Sequence, residues 1–532
     1  MKVLVTEKLS PAGMKLLTEH FEVEERLDLK VDQLKEALST ATAIIVRSKT
    51  RLTADVLSAG RSLRVIGRAG VGYDNIDLKA ASRQGILVMN VPEGSTISAC
   101  EHTLALLLAL VRRIPDAVAG IRAGRWRRDL VGNELYGRTL GVVGLGRIGA
   151  EVARRALTFG MKVIGHDPFL APERAQTLGL HLVPLDTLLT DSDVITLHIP
   201  ATDATRKIIS RRELSLMKQG SFLVNCARGA LIDEEALVEA LRSGHLGGAA
   251  LDVFTTEPPD FGTPLFSSEL PNLIATPHLG ASTEEAQEKV ALIIAQQISR
   301  ALLEDDFMNS VNLPYVPPEM MRRLRPYLEL AEGLAGFAVQ WLKNMTGPVQ
   351  LAFEGEAASV DTGYVALGLQ KGLLDQVADE PITYVNAPII AHERGISVVL
   401  VKRESTAAFK GALVLSARGG GDPARALELI GVASPEGEPR LVGLDGYSLD
   451  FPLAGRFLLI EHRDQPGVVG KVGTLLGDKG VNIDRMQVCR RTAGQAAMMI
   501  LTVDNEIPRD VTDRLAATPG VARVTVINIS GS

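Results

Sequence analysis

Residues 140–168 read LGVVGLGRIGAEVARRALTFGMKVIGHDP and contain a strand-like run, a glycine-rich turn, a helical run and a second strand-like run. The short apolar, β-branched run before Gly144 is typical of a buried parallel strand. After the glycines, apolar residues recur at helical spacing, and the second strand-like run ends at Asp167. Because G-x-G-x-x-G in this order is the pattern of dinucleotide-binding units, the stretch predicts a Rossmann-like domain.

Each glycine of the turn has its own expected role, and so does the acid that follows. Gly144 permits the tight turn, Gly146 lets the backbone approach a pyrophosphate, and Gly149 lets the helix pack closely with its N-terminal amides facing the phosphates. Asp167 would accept hydrogen bonds from both ribose hydroxyls and repel a 2′-phosphate, and Pro168 stands where an NADP enzyme would often place an arginine. NAD is therefore the predicted cofactor. The alternative is a glycine turn in an α/β domain that binds no ligand.

Length and composition limit the class of protein. A chain of 532 residues is too long for one hydrophobic core, and a 46% hydrophobic fraction is ordinary for a globular protein. A formal net charge of −6 argues against general nucleic-acid binding, and the apolar run at 104–111 is too short for a membrane span. The first residues lack a signal-peptide pattern. Cys100, Cys226 and Cys489 are widely separated and form no metal-type pair, so we expect reduced thiols, no bound metal and a cytoplasmic location.

The chain divides into four predicted units, and the fold class is α/β. A substrate-binding lobe is expected from 1–94 together with 282–313, because strand-like and helical runs alternate in the first part and a long helix returns the chain to it. The NAD-binding Rossmann lobe, 95–281, is inserted between these parts and leaves a cleft at the interface. An α+β regulatory insert is expected at 314–453. The order βαββαβ predicts a ferredoxin-like unit at 454–532, which we expect to be removable without loss of the catalytic fold.

Three strand-end segments carry candidate catalytic side chains. NCARGALID contains Arg228, LDVFTTEPP contains Glu257, and TPHLGAST contains His278. A histidine paired with a carboxylate suits proton transfer coupled to hydride transfer, and a guanidinium can hold a carboxylate through two hydrogen bonds. Taken singly, each is also readily explained as a surface cation, a solvated acid or a loop histidine. Together, at the ends of successive strands after a dinucleotide-binding turn, they predict an active site.

The set VGLGRIG, HDP, LHIP, NCARG, DVFTTEPP and PHLGAST resembles the D-isomer-specific 2-hydroxyacid dehydrogenase family across 1–313. The resemblance implies that Arg228, Glu257 and His278 are catalytic. His198 and Pro200 of LHIP lie beside the cofactor in that family, where a purely structural role is an equal alternative. The family's cofactor contacts map to residues around the turn and the later strand ends, namely Gly144, Gly146, Arg147, Ile148, Gly149, Asp167, Thr205, Cys226, Ala227, Arg228, Asp252, His278, Gly280 and Ala281.

The C-terminal half resembles two regulatory modules. Residues 457–530 resemble an ACT domain, which implies a regulatory ligand held by the loop and turn residues His462, Asp464, Pro466, Gly467 and Asn482. Residues 363–398 resemble the insert of long-form D-3-phosphoglycerate dehydrogenases. Lys371 and Arg394 in this insert are either an anion site or simple surface cations.

The remaining candidate residues suggest a doubly anionic substrate. Arg47 and Arg68 end strand-like runs of the first lobe, and Asn90 is placed to assist them. A phosphate needs such extra cations, whereas a plain hydroxy acid needs one arginine for its carboxylate. Arg128 lies in a segment that reaches a neighbouring subunit in the family, but the local pattern departs from the family's by apparently one residue, which leaves its phosphate role open.

The order of the four units resembles the long-form D-3-phosphoglycerate dehydrogenase family over nearly the whole chain. That resemblance implies oxidation of 3-phosphoglycerate to 3-phosphohydroxypyruvate, the committing step of L-serine biosynthesis. It also implies L-serine as a candidate effector and a homodimer or homotetramer. Two alternatives stay open, namely another D-2-hydroxyacid dehydrogenase such as a hydroxypyruvate or glyoxylate reductase, and a non-catalytic NAD-sensing regulator on the same scaffold.

Overall fold

A computed structural model describes residues 1–266, 270, 272–304, 306–403, 409–420, 426–434, 437–490 and 495–529. The described chain forms four sheets, two of them fully parallel. In these ranges, no helix combines the length and apolar character needed to cross a membrane.

The first lobe is a five-stranded parallel sheet in the order β2-β1-β3-β4-β5. Its central strands are rich in Val, Ile and Leu and are buried on both faces, as parallel sheets require. The strands are β1 (Lys2–Val5), β2 (Glu22–Glu25), β3 (Ala43–Val46), β4 (Val65–Arg68) and β5 (Leu87–Asn90), and the helices are α1 (Pro11–Thr18), α2 (Val31–Leu38), α3 (Ala54–Leu57) and α4 (Leu78–Arg83).

The second lobe is a seven-stranded parallel sheet in the order β12-β11-β10-β9-β6-β7-β8. Its helices are α5 (Thr96–Val111), α6 (Ile114–Arg122), α7 (Arg147–Thr158), α8 (Pro172–Thr177), α9 (Leu185–Asp191), α10 (Arg211–Leu216) and α11 (Glu234–Arg242). Its strands are β6 (Thr139–Val143), β7 (Lys162–His166), β8 (His181–Leu182), β9 (Val194–Leu197), β10 (Ser221–Asn225), β11 (Leu246–Leu251) and β12 (Leu273–Ala275). Strand order reverses between β6 and β9, and ligands of such sheets bind beyond the carboxyl ends of the strands at this reversal.

Helix α12 (Glu284–Leu303) returns the chain to the first lobe. Its Val290, Ile294 and Ile298 are buried in the same core as residues of β1 and β3. Gly13 of α1 permits the close approach, because a Cβ there would lie 2.7 Å from the carbonyl oxygen of Ala291. The chain therefore enters the second lobe through α5 and leaves it through α12, which confirms the predicted fold of two Rossmann-like lobes with one inserted in the other.

The third unit is a mixed sheet in the order β14-β13-β15-β16-β17-β18, in which only β13 and β14 pair in parallel. Helices α13 and α14 pack together; a Cβ on Gly372 would overlap the backbone of Glu332. The helices are α13 (Pro318–Leu342), α14 (Thr362–Leu374) and α15 (Ala387–Glu393), and the strands are β13 (Met345–Gly355), β14 (Val398–Arg403), β15 (Gly411–Gly419), β16 (Ala426–Ala433), β17 (Pro439–Leu444) and β18 (Tyr447–Pro452).

The fourth unit has the predicted βαββαβ order and an antiparallel sheet in the order β20-β21-β19-β22. Its helices cover one face, over a core that includes Leu458, Val472 and Leu515. The elements are β19 (Gly455–Arg463), α16 (Val468–Gly477), β20 (Ile483–Arg490), β21 (Ala496–Val503), α17 (Arg509–Ala516) and β22 (Val521–Ile529).

The opposite face of this fourth sheet packs on α13. The rings of Phe337 and Phe457 lie 6.0 Å apart, and the guanidinium of Arg523 lies 4.2 Å from the ring of Trp341. Removing the chain from residue 455 onward would therefore expose the apolar face of α13 to water, at a cost of about 25 cal/mol for each Å². This contact argues against the expectation that the fourth unit can be removed without loss of the catalytic fold. That expectation overlooked the packing of the fourth unit on α13.

Candidate active site

The glycine turn lies between the end of β6 and the start of α7. Gly144 has a φ of +91°, a backbone conformation that favours glycine, and a Cβ there would lie 2.6 Å from the carbonyl oxygen of His198. A Cβ on Gly149 would overlap the backbone of Gly144, so the helix packs closely on the turn. At Gly146 a Cβ would meet no heavy atom within 4 Å. The turn thus offers open space in front of the first amides of α7, including Arg147 and Ile148, which suits a pyrophosphate.

Asp167 follows β7 and faces the same turn. Its Oδ2 accepts a hydrogen bond of 2.9 Å from the amide of Leu145, and its Oδ1 accepts one of 3.0 Å from the amide of Phe169. The carboxylate therefore fixes the shape of the glycine turn. It also stands at the strand end where the ribose of a dinucleotide binds in Rossmann folds.

Other predicted cofactor residues lie at the ends of β9 and β10. Thr205 donates a hydrogen bond of 2.7 Å to the carbonyl of Pro200 and closes the loop after LHIP. Removal from water lowers the pKa of His198 to about 4, and its Nε2 lies 3.0 Å from Oγ1 of Thr196, so His198 is a neutral ring that packs beneath the turn. Burial raises the pKa of Cys226 to about 12, which keeps it a thiol at neutral pH.

His278 and Glu257 form a hydrogen-bonded pair. The His278 Nδ1 lies 2.7 Å from Oε2 of Glu257, whose Oε1 accepts a hydrogen bond of 3.1 Å from the amide of Phe254. Burial opposes the charge on Glu257, but the hydrogen bonds from His278 and Phe254 outweigh it and hold its pKa below the ordinary value. The carboxylate is therefore ionised at neutral pH and fixes the imidazole, with Nε2 as the nitrogen left for a substrate.

Asp252 organises the loop that carries His278. It is fully buried, and its carboxylate accepts hydrogen bonds of 2.8 Å from each of the amides of Leu279 and Gly280 and one of 2.6 Å from the hydroxyl of Thr276. Burial opposes its charge, yet these bonds and one from His102 keep its pKa below the ordinary value. His278 itself has a φ of +55°, a strained conformation that this network maintains.

Arg228 spans the cleft between the lobes. Its Nε donates a hydrogen bond of 2.8 Å to Oδ2 of Asp74, and its Nη1 donates one of 2.6 Å to the carbonyl of Ala227. The guanidinium lies against the backbone of Gly72 so closely that a Cβ there would overlap it. Asp74 was missed from the sequence, although its place after β4 in GRAGVGYDNID was a usable signal.

Arg68 and Arg47 join Arg228 in a cluster of cations at the first lobe's edge. Arg68 ends β4, and its Nη1 donates a hydrogen bond of 3.1 Å to the carbonyl of Ala69. Its Nε is buried and has no partner among the described residues. Burial, together with the charges of Arg228 and Arg47, lowers the pKa of Arg68 to about 10. A buried donor without a partner, with two like charges near it that Glu7 and Asp74 offset only in part, is favourable for an anion.

Asn90 and Arg128 are placed differently. The Asn90 side chain is buried and donates a hydrogen bond of 2.6 Å to the carbonyl of Val71, so it braces the loop beside Arg68. Arg128 is exposed on the segment between α6 and β6. Among the described residues, its guanidinium has no hydrogen-bond or ion-pair partner, whereas that of the neighbouring Arg127 pairs with Asp129.

The proposed regulatory residues are spread over several places in the fourth unit. A groove of about 780 Å³ between α16 and α17 is lined by Gly467 and, among others, Lys471 and Arg514. His462 is buried within β19, and Asn482 donates a hydrogen bond of 2.6 Å to Asp504. Asp464 and Pro466 belong to the loop between β19 and α16, where the amide of Asp464 donates to the carbonyl of Gln495 at 2.8 Å.

The two cations singled out in the third unit are both occupied. Lys371 forms ion pairs with Glu332 and, at 2.7 Å, with Asp375. Arg394 donates a hydrogen bond of 2.9 Å to the carbonyl of Val377. These contacts argue against an anion site, and they also show that Lys371 and Arg394 are paired cations rather than the simple surface cations of the alternative.

Taken together, the two-lobed fold and its site define an NAD-dependent dehydrogenase of the 2-hydroxyacid type. Three family models match the chain: the D-isomer specific 2-hydroxyacid dehydrogenase NAD binding domain at 104–280, the D-3-phosphoglycerate dehydrogenase intervening domain at 323–445, and the ACT domain at 456–520.

Full-length relatives give the particular family. The chain is 43% identical to D-3-phosphoglycerate dehydrogenase of Methanocaldococcus jannaschii over 99% of its own length and 100% of that protein, and 38% identical to that of Bacillus subtilis over 99% of both. D-lactate dehydrogenase from Aquifex aeolicus, solved with NAD and lactic acid, is similar at 31% identity, with a TM-score of 0.54, over 59% of this chain and 100% of that one. The chain belongs to the D-3-phosphoglycerate dehydrogenase family.

Proposed function

We propose that this chain oxidises 3-phosphoglycerate to 3-phosphohydroxypyruvate with NAD, the step that commits carbon to L-serine. The observation that carries the proposal is the cluster of Arg47, Arg68 and Arg228 beside the His278–Glu257 pair, in which Arg68 keeps a buried, unpartnered Nε. The names of the full-length relatives support it independently.

The glycine turn and Asp167 are the residues proposed to hold NAD. The open space at Gly146 would admit the pyrophosphate, and Asp167, which braces the turn, would accept hydrogen bonds from the ribose hydroxyls. When bound, NAD accepts the hydride that leaves C2 of the hydroxy acid. Thr205, Cys226 and Gly280, on the loops that follow β9, β10 and β12, are the further residues proposed to contact NAD.

His278 is the proposed general base. Nε2 of its imidazole takes the proton of the substrate hydroxyl as the carbonyl forms, and Glu257 holds Nδ1 and stabilises the resulting imidazolium. In the reverse direction the charged ring returns the proton to the carbonyl oxygen. Because the pKa of Glu257 is held below its ordinary value, this support is present at neutral pH and is lost only as the pH falls through that lowered pKa.

The arginines divide the two charged ends of the substrate between them. Arg228 takes the carboxylate and polarises the developing carbonyl, exchanging its contact with Asp74 for one with substrate. Arg68 and Arg47 take the phosphate. Asn90 does not contact the phosphate in this proposal, but its hydrogen bond to the Val71 carbonyl holds the loop that follows Arg68.

We expect Arg68→Ala to raise KM for 3-phosphoglycerate by about 10- to 100-fold, because a charge-assisted hydrogen bond is worth about 1.5–3 kcal/mol. The KM for D-glycerate, which lacks the phosphate, should change by less than about threefold. Steady-state kinetics with both substrates measures this, with Arg61→Ala, an exposed arginine of the same lobe, as the control. Equal losses on both substrates would show that Arg68 serves folding or binds the carboxylate instead, and a parent protein that prefers the unphosphorylated acid would favour a reductase of unphosphorylated hydroxy acids. Absence of NAD reduction by the parent protein would favour a non-catalytic regulator.

An exposed apolar face supports a homodimer, alone or as half of a homotetramer. Ile114, Val118 and Ile121 lie on one face of α6 at spacings of four and three residues, and Trp126 and Val131 follow; all five are exposed, Trp126 and Val131 by 79%. Patches of this kind mark interaction sites on proteins. Arg128 lies within this segment, so a second subunit seated there is the proposed partner.

Introducing a charge on this face should dissociate the dimer. Ile121→Asp should give a monomer at micromolar concentration in sedimentation velocity, because a carboxylate buried at an interface is costly without a partner. Val31→Asp, at an equally exposed apolar position on α2, is the matched control and should leave the assembly unchanged. An Ile121→Asp protein that sediments like the parent contradicts this interface.

L-Serine is the proposed effector of the ACT domain, acting within the cytoplasm, where the three unpaired cysteines would stay reduced. Millimolar L-serine should lower the initial rate of 3-phosphoglycerate oxidation, by an amount that corresponds to a coupling of about 1–3 kcal/mol. D-Serine at the same concentrations serves as the control. An unchanged rate would indicate that the ACT domain only forms a contact between subunits.

A further inference from the structure

The first half of α5 contacts the loop that carries His278. Oγ of Ser98 lies 2.8 Å from Oγ1 of Thr283, at the start of α12. One turn later, Nε2 of His102 lies 3.1 Å from Oδ1 of Asp252 and 3.3 Å from Oγ1 of Thr276. The helix therefore contacts both ends of the 276–283 loop.

The protonation of the His102 ring follows from its partners. The Asp252 carboxylate is ionised and only accepts, and the Thr276 hydroxyl already donates to the same Oδ1 at 2.6 Å. Nε2 of His102 is therefore the nitrogen that carries a proton. It donates to the carboxylate whose two oxygens hold the amides of Leu279 and Gly280.

We propose that His102 is a positioning residue for the reaction, whose hydrogen bond to Asp252 fixes the loop and thereby the place of His278. The inference rests on the proposed role of His278 as general base. Asp252 is fully buried, so a lost donor cannot be replaced by water without rearrangement of the loop. Catalytic geometry tolerates little error, and a displacement of about 1 Å can cost about 100-fold in rate.

A matched pair of variants tests whether the side chain at position 102 must reach Asp252 or need only be polar. In His102→Gln the amide nitrogen stands near the place of Nε2, whereas in His102→Asn it stands near Nδ1 and falls short of Asp252. We expect Asn to lower kcat by about 10- to 100-fold with KM for NAD and for 3-phosphoglycerate within about threefold, and Gln to restore kcat to within about threefold of the parent. His181→Asn, at an exposed position on β8, is the control.

Two further readouts distinguish positioning from a general loss of structure. Added to His278→Asn, the His102→Asn change should cost less than about twofold more, because both act on one function. Hydrogen exchange at the amides of Leu279 and Gly280 should quicken in His102→Asn and not in His102→Gln, whether or not the protein turns over 3-phosphoglycerate.

The outcomes are distinct. An inactive parent protein would overturn the proposed function, while hydrogen exchange still tests the contact. A parent that is active, with His102→Asn equal to it in kcat and in exchange, would overturn the role of His102. Additive losses in the double variant would also overturn it. The same holds if His102→Gln folds but its kcat stays as low as that of His102→Asn.

Discussion

Replacing His278 with asparagine should lower kcat by about 10² to 10⁴, the usual contribution of a positioned general base. The imidazole is held by Glu257 through a bond of 2.7 Å and by a backbone φ of +55° that the Asp252 network maintains. Asparagine tolerates this conformation and retains a hydrogen-bonding group toward Glu257, but it cannot accept the proton. The affinity for NAD should therefore change little.

Single-turnover and steady-state measurements of NADH formation test this, with fluorescence titration of NADH to report binding. His181→Asn removes an exposed histidine from the same lobe and should behave as the parent protein does. Parental turnover in His278→Asn would remove the assignment of the base and direct attention to another proton acceptor in the cleft.

Replacing Arg228 with lysine should lower kcat/KM for 3-phosphoglycerate by about 10² to 10³. A guanidinium holds a carboxylate through two parallel bonds and stabilises charge that develops on the neighbouring oxygen, whereas an ammonium offers one point charge. In the structure the same guanidinium bridges the lobes through Asp74, at 2.8 Å from Nε. The shorter-reaching lysine would weaken that bridge as well.

A second arginine-to-lysine replacement, which also keeps the positive charge, is the control for this variant. Arg211→Lys alters an exposed arginine that pairs with Glu239 on the surface of the same lobe, and it should keep kcat/KM within about twofold. If Arg228→Lys also kept it, the carboxylate of the substrate would have to be held by backbone amides or by Arg68 instead.

Local sequence patterns were sufficient for most of the fold. The order strand, glycines, helix, strand and acid in 140–168 predicted the Rossmann lobe, which the structure confirms. The close packing of Gly149 on Gly144 is local, whereas the space around Gly144 is limited by His198 after another strand. The βαββαβ order of the fourth unit was also confirmed, because each of its elements is recognisable from a local sequence pattern. The strand-end placement of Arg228, Glu257 and His278 followed from the rule that carboxyl ends of parallel strands share one edge.

Tertiary structure alone decided the contacts between distant elements. The bond from Arg228 to Asp74 joins residues 154 positions apart, and the one from His102 to Asp252 joins α5 to the end of β11. No periodicity encodes such pairs, because the first exists only when the two lobes dock in one relative orientation, and the second only when α5 packs beside β11 within the second lobe.

The same holds for the C-terminal half of the chain. Lys371 looked like a free cation until α13 placed Glu332 beside it, and the fourth unit looked separable until Phe457 was found to pack on Phe337. Sequence patterns therefore predicted the elements, their order and the chemistry at the strand ends. The docking of one element on another determined which charges are paired and which faces are buried, since those depend on distances through space.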